Sequence, residues 1–149
     1  MTADILALYQ DVILEHSRRP RNFGPLDGPA KRAEGHNPLC GDRMTVHVRV
    51  SDRIVTRATF EGVGCAICIA SASLMTEVVT GKTIAEVDAL QRHVHDLVTA
   101  GAHLSTEDSG ALSALAGVRK FPVRAKCALL PWHTLHAATD GDEAVVSTE

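Results

Sequence analysis

The stretch Phe60-Glu-Gly-Val-Gly-Cys-Ala-Ile-Cys-Ile-Ala-Ser-Ala-Ser73 constrains this chain more than any other. An apolar strand ends at Phe60, a turn carries Gly62 and Gly64, and a helix of small residues begins around Cys65. A thiol then stands at a helix entrance, where unpaired backbone N–H groups and the positive dipole end favour the thiolate. Glycines before a helix also serve the turn itself, and a cysteine among Ala and Ile also reads as a small buried residue. The stretch alone therefore does not define a site.

The flanking patterns supply the rest of the fold. Ile5, Leu8, Tyr9, Val12 and Ile13 recur at helical spacing, in a helix that starts near Thr2 or Asp4 and is stopped by Pro20. A loop with three arginines follows, Arg18 to Pro25, which reads as a solvated positive segment or a docking surface. Residues 30–37 read as a weak strand and Asn37 to Asp42 as a turn. Val46, Val48 and Val50 alternate with polar residues, and Ser51-Asp-Arg53 turns into a second run, Ile54 to Phe60, giving an antiparallel hairpin. From Cys65 the helical stripe is Ile67, Ala70, Ser71, Leu74 and Val78, with Gly81 suited to the C-cap. Thr83 and Glu86 form a capping box for the next helix, which carries Ile84, Val87, Leu90, Val94, Leu97 and Val98. A short helix with Leu112 and Leu115 precedes Gly117 to Pro122, and a last helix runs through Cys127, Leu130 and Leu135. Pro131 lies inside that helix and is expected to kink or restart it. The expected fold is α+β: a small three-stranded antiparallel sheet with four to five helices packed on one face. Residues 1–138 make a single domain, and residues 139–149 read as a flexible acidic tail.

At 149 residues the chain is long enough to bury a sizeable core as one domain. Its net charge of −3 and the lack of a basic stripe argue against a nucleic-acid partner. No apolar run approaches the ~18 residues of a membrane span, and the N-terminus shows no signal-peptide pattern. The cytoplasm is the expected location. In a reducing compartment Cys40, Cys65, Cys68 and Cys127 read as ligands, reactive thiols or core residues rather than disulfides.

Three transitions between loop and regular structure carry a cysteine. Cys40-Gly-Asp42 sets a thiol and a carboxylate two residues apart, with the glycine free to turn both toward one point. Cys65 marks the second transition and Cys127 opens the last helix. Three thiolates and a carboxylate suit zinc or an iron–sulfur cluster. Single ligands on distant elements differ from the paired knuckles of a zinc ribbon. Cys65-Ala-Ile-Cys68 also has the spacing of a redox pair at a helix start, but without the βαβ context of such pairs.

At these residues the chain resembles the U-type iron–sulfur assembly family, which comprises NifU N-terminal domains, IscU scaffolds and SufU proteins. The pieces that carry the resemblance are Asn37-Pro-Leu-Cys-Gly-Asp42, Phe60 to Ser73, Arg124-Ala-Lys-Cys-Ala-Leu-Leu-Pro-Trp132 and Leu8 to Gly24, within residues 5–137. Two details point to the SufU branch. IscU-type members have histidine immediately before the last cysteine, where this chain has Lys126, and Leu104 to Pro122 looks like the extra SufU segment. Cys68, where SufU-like sequences usually have serine, and Pro131 depart from the pattern.

The resemblance implies a zinc-dependent sulfur shuttle for a PLP-dependent cysteine desulfurase, with possible onward transfer to downstream scaffold proteins. Carried onto this chain, Cys40, Asp42, Cys65 and Cys127 hold zinc, Cys40 accepts the persulfide sulfur, and Arg124 pairs with Asp42 during the exchange. Two readings compete. One is a scaffold that builds an iron–sulfur cluster on the same ligands, with iron in place of zinc. The other is a metal-stabilised binding module without sulfur chemistry.

Overall fold

The computed structural model describes residues 11–38, 41–99, 112, 114, 115, 118, 121–140 and 146–147. The first helix, α1, spans Asp11–Arg18 and buries Ile13 and His16. The upstream apolar positions Ile5, Leu8 and Tyr9 lie outside the described residues.

Three antiparallel strands follow: β1 (Lys31–Asn37), β2 (Asp42–Ser51) and β3 (Ile54–Val63). Their inward residues are the ones that alternation selects. Ala33, Met44, Val46, Val48, Ala58 and Phe60 are all buried in one core. The β2–β3 turn places Asp52 at φ 51° and Arg53 at φ 64°, the left-handed pair that matches strand twist in a two-residue hairpin. Each non-glycine residue there bears some backbone strain.

Three longer helices follow: α2 (Ala66–Val79) and α4 (Pro122–Thr139) pack on the sheet, and α3 (Ile84–Thr99) packs on α4. The stripe read along α2 understates its burial. Cys68, Ala72, Ser73, Met75 and Thr76 are buried as well, so the helix is enclosed on nearly every side. Helix α3 starts with the expected reciprocal cap: the Thr83 amide donates to Glu86 Oε1 at 2.9 Å and the Glu86 amide to Thr83 Oγ1 at 3.1 Å. Leu112 and Leu115 are fully buried, as their predicted core role requires.

Helix α4 does not restart at Pro131; it runs unbroken to Thr139. A proline lacks the N–H that the carbonyl four residues back expects and crowds that turn. That carbonyl belongs to Cys127; the next one, of Ala128, is bonded from a second helix. The Ser71 hydroxyl on α2 donates to the Ala128 carbonyl at 2.7 Å, and the Trp132 indole N–H donates to Ser71 Oγ at 3.1 Å. Strand β1 packs tightly on the same helix: a Cβ at Gly35 would collide with Thr134 Oγ1 and come within 2.9 Å of Leu130 Cδ1.

A two-residue strand, β4 (Val146–Ser147), pairs in parallel with Gly35 and His36 and extends the sheet order to β3-β2-β1-β4. Among the described residues no helix is long and apolar enough to cross a membrane.

Candidate metal centre

Asp42 opens β2 directly opposite Asn37, the last residue of β1, and both are fully buried. The preceding Gly41 has φ +74°, a left-handed turn that a side chain would strain. Cys65 occupies the N-cap of α2, and Cys127 lies buried in the second turn of α4. The turn before Cys65 depends on close backbone approach: a Cβ at Gly62 would run into the Arg43 carbonyl.

The ligand atoms of Asp42, Cys65 and Cys127 all lie within 4.8 Å of one another. These residues are widely separated in sequence, and the ends of one strand and two helices bring them together. Asp42 Oδ1 accepts the Cys65 backbone N–H at 2.9 Å. Its Oδ2 is buried with no hydrogen-bond partner among the described residues. Buried carboxylate oxygens seldom go unpaired, because their desolvation is then uncompensated. A buried carboxylate with one oxygen unpaired, on a residue whose ligand atom lies within 4.8 Å of two sulfurs, fits a divalent metal with sulfur and oxygen ligands.

The thiols are prepared for the same role. The Cys65 thiol is pulled down to about 6, first by its hydrogen bond with the Cys127 side chain. The amides of Cys68 and Ile67 at the helix start push the same way, against burial and the Asp42 charge. Asn37 Nδ2 donates to Cys127 Sγ at 3.6 Å. Sequence reasoning saw Asn37 only as a turn residue. Its signal was its parity: it falls on the inward side of β1, where a buried amide needs a partner.

Of the other expected site residues, Cys40 lies outside the described residues. Arg124 is half-buried on the first turn of α4, and Lys126 is half-buried one residue before Cys127. Cys68 is fully buried one turn after Cys65.

A sequence profile of the NifU-like N-terminal domain matches residues 8–128. The chain belongs to the NifU-like N-terminal domain family. Within it, the chain is 38% identical over 141 residues to the zinc-dependent sulfurtransferase SufU of Bacillus subtilis, covering 95% of both chains. It is 37% identical to the iron–sulfur cluster assembly scaffold protein IscU of Streptococcus pyogenes, covering 88% of this chain and 82% of that one. The fold matches the NifU-like N-terminal protein of Brucella abortus with a TM-score of 0.86 at 25% identity, covering 93% and 96% of the two chains. It matches FiSufU of Fervidobacterium islandicum with a TM-score of 0.82 at 31% identity, covering 89% and 97%. The NifU-like fold thus accounts for the α+β architecture that the strand alternation and helical periodicity indicate.

Proposed function

We propose that this member of the NifU-like family is a zinc-dependent sulfur acceptor that takes persulfide sulfur from a PLP-dependent cysteine desulfurase in the cytoplasm. Residues 1–138 form the working domain, followed by the acidic tail. The observation that carries this reading is the clustering of Asp42, Cys65 and Cys127, whose ligand atoms lie within 4.8 Å of one another, with one oxygen of the buried Asp42 carboxylate unpaired among the described residues. The near full-length similarity to a zinc-dependent sulfurtransferase supports it.

In this reading Cys40, two residues before Asp42, joins the trio as the fourth ligand and is also the acceptor. Zinc, when bound, keeps the thiols deprotonated and ordered. The Cys40 thiolate attacks the outer sulfur of the desulfurase persulfide. The S–S bond breaks, the desulfurase cysteine leaves as a thiolate, and Cys40 carries the persulfide; no further oxidant or reductant is required. Asp42, Cys65 and Cys127 hold the centre meanwhile. Arg124, on the same helix as Cys127, pairs with the Asp42 carboxylate when the acceptor swings away.

A second reading has the same residues build an iron–sulfur cluster for downstream apo-proteins, as the IscU name of a relative suggests. Purified protein separates the two: colourless protein with an equivalent of zinc supports the shuttle, and brown protein with visible absorption supports the scaffold. Wild type and Cys40→Ala are then compared for stimulation of a cysteine desulfurase supplied with free cysteine. Equal stimulation by the variant would overturn the assignment of Cys40. A persulfide found by mass spectrometry on another cysteine would overturn it too.

A further inference from the structure

The sulfur of Cys68 has no part in the site as built above, yet it stands beside it. Gly64 shows how near. A Cβ placed on Gly64 would lie 3.0 Å from Asp42 Oδ1 and 3.2 Å from both Cβ and Sγ of Cys68. Gly64 is thus packed between the Cys68 thiol and the Asp42 carboxylate, with no room there for a side chain. That carboxylate also holds the buried oxygen without a partner among the described residues. Cys68 follows Cys65 by one helical turn, so both sulfurs project from the same side of α2. The spacing is that of two-cysteine zinc knuckles.

We propose that Cys68 is a reserve ligand, completing a four-donor set with Asp42, Cys65 and Cys127 that retains the metal while Cys40 is disengaged. This rests on the metal-binding part of the reading above and not on sulfur transfer. The set has three sulfurs and one carboxylate, the same donor chemistry as the set containing Cys40. Cys68 stands outside the trio that falls within 4.8 Å, so in this proposal its sulfur moves past Gly64 toward Asp42 when it ligates. On ligation the Cys68 thiol loses its proton to solvent, as any thiol does when it binds zinc. Full burial of residue 68 keeps water from competing for the position.

The test uses the full chain with Cys40→Ala, loaded with zinc and separately with cobalt(II). Cys40→Ala is expected to keep about one zinc per chain after desalting. Its cobalt complex should show thiolate-to-metal absorption of three-sulfur intensity, and zinc should protect Cys68 from N-ethylmaleimide in peptide mapping. Adding Cys68→Ala should weaken zinc binding by tenfold or more in chelator competition, and should reduce the cobalt band to two-sulfur intensity. The proposal is overturned if Cys40→Ala retains its fold but no zinc, or if its cobalt band has two-sulfur intensity. It is also overturned if Cys68→Ala leaves the zinc affinity of Cys40→Ala unchanged. The cobalt band and the alkylation map of Cys40→Ala alone decide the matter if the double variant does not fold. Loss of desulfurase stimulation with zinc retained would count against the sulfur-transfer reading alone.

Discussion

The backbone N–H of Cys65 donates to Oδ1 of Asp42 at 2.9 Å, linking the entrance of α2 to the first residue of β2. Through this bond the carboxylate has two uses. One oxygen fixes the cysteine backbone at the positive end of a helix, and the other, unpaired among the described residues, is the proposed metal ligand.

Replacing Asp42 with asparagine tests that division. The amide oxygen can still accept from Cys65, but the negative ligand is gone. Zinc affinity should fall by at least tenfold in chelator competition, while the metal-free melting temperature moves little. Unchanged affinity would remove Asp42 from the metal site.

Gly64→Ala should act on the site without breaking the turn. The added methyl comes within 3.0 Å of Asp42 Oδ1 and 3.2 Å of Cys68 Sγ, and overpacking of this kind costs about 1–3 kcal/mol. Thermal melts with and without zinc should show a larger loss in the zinc-bound form. Equal losses in both forms would mean that the crowding never reaches the ligands.

Ser71→Ala removes the hydroxyl that joins Trp132 to the Ala128 carbonyl. The indole N–H is then buried without an acceptor, for a cost of about 1–3 kcal/mol. Trp132 is the sole tryptophan in the sequence, so its fluorescence should report the change directly, alongside a lower melting temperature. A spectrum and melting temperature identical to wild type would show that the Ser71 link adds nothing to the packing of the two helices.

His16 and His133 both have pKa values lowered from the ordinary 6.5, in each case mainly by burial. At His16 the nearby Arg21 adds to the effect while Glu77 and Glu15 oppose it. At His133 the additions come from His95 and His136. Both stay neutral in the fold at a pH where the unfolded chain has begun to bind protons. Their contribution to stability is present above 6.5 and is lost as pH falls through and below that value. Melting temperature should drop between about pH 7.5 and pH 5.5, above the carboxylate range, and His133→Asn should flatten the slope. A melting temperature constant or rising toward low pH would contradict this.

Much of this fold was legible because its signals are local. The valines of β2 alternate, Thr83 and Glu86 cap within one turn, and the glycines before Cys65 announce a strand-to-helix transition. The link from Ser71 to the turn before Pro131 was not legible, because it comes from another helix, 57 residues from the bonded carbonyl. Strand β4 has too few residues to show a period, and its pairing with Gly35 and His36 is set by tertiary contact. The trio of Asp42, Cys65 and Cys127 could be named from residue type and position. The amide of Asn37 on the Cys127 sulfur could not, since it requires knowing which side of β1 faces inward.

The contact of Ser71 with Ala128 and Trp132 has a mechanical consequence. Cys65 precedes α2 and Cys127 lies in α4, and the two helices are fastened to each other through Ser71, six residues after Cys65, and through Ala128 and Trp132, one and five residues after Cys127. Neither helix can turn about its axis without disturbing that fastening. The sulfur-to-sulfur separation is therefore set in part by the core behind the two cysteines.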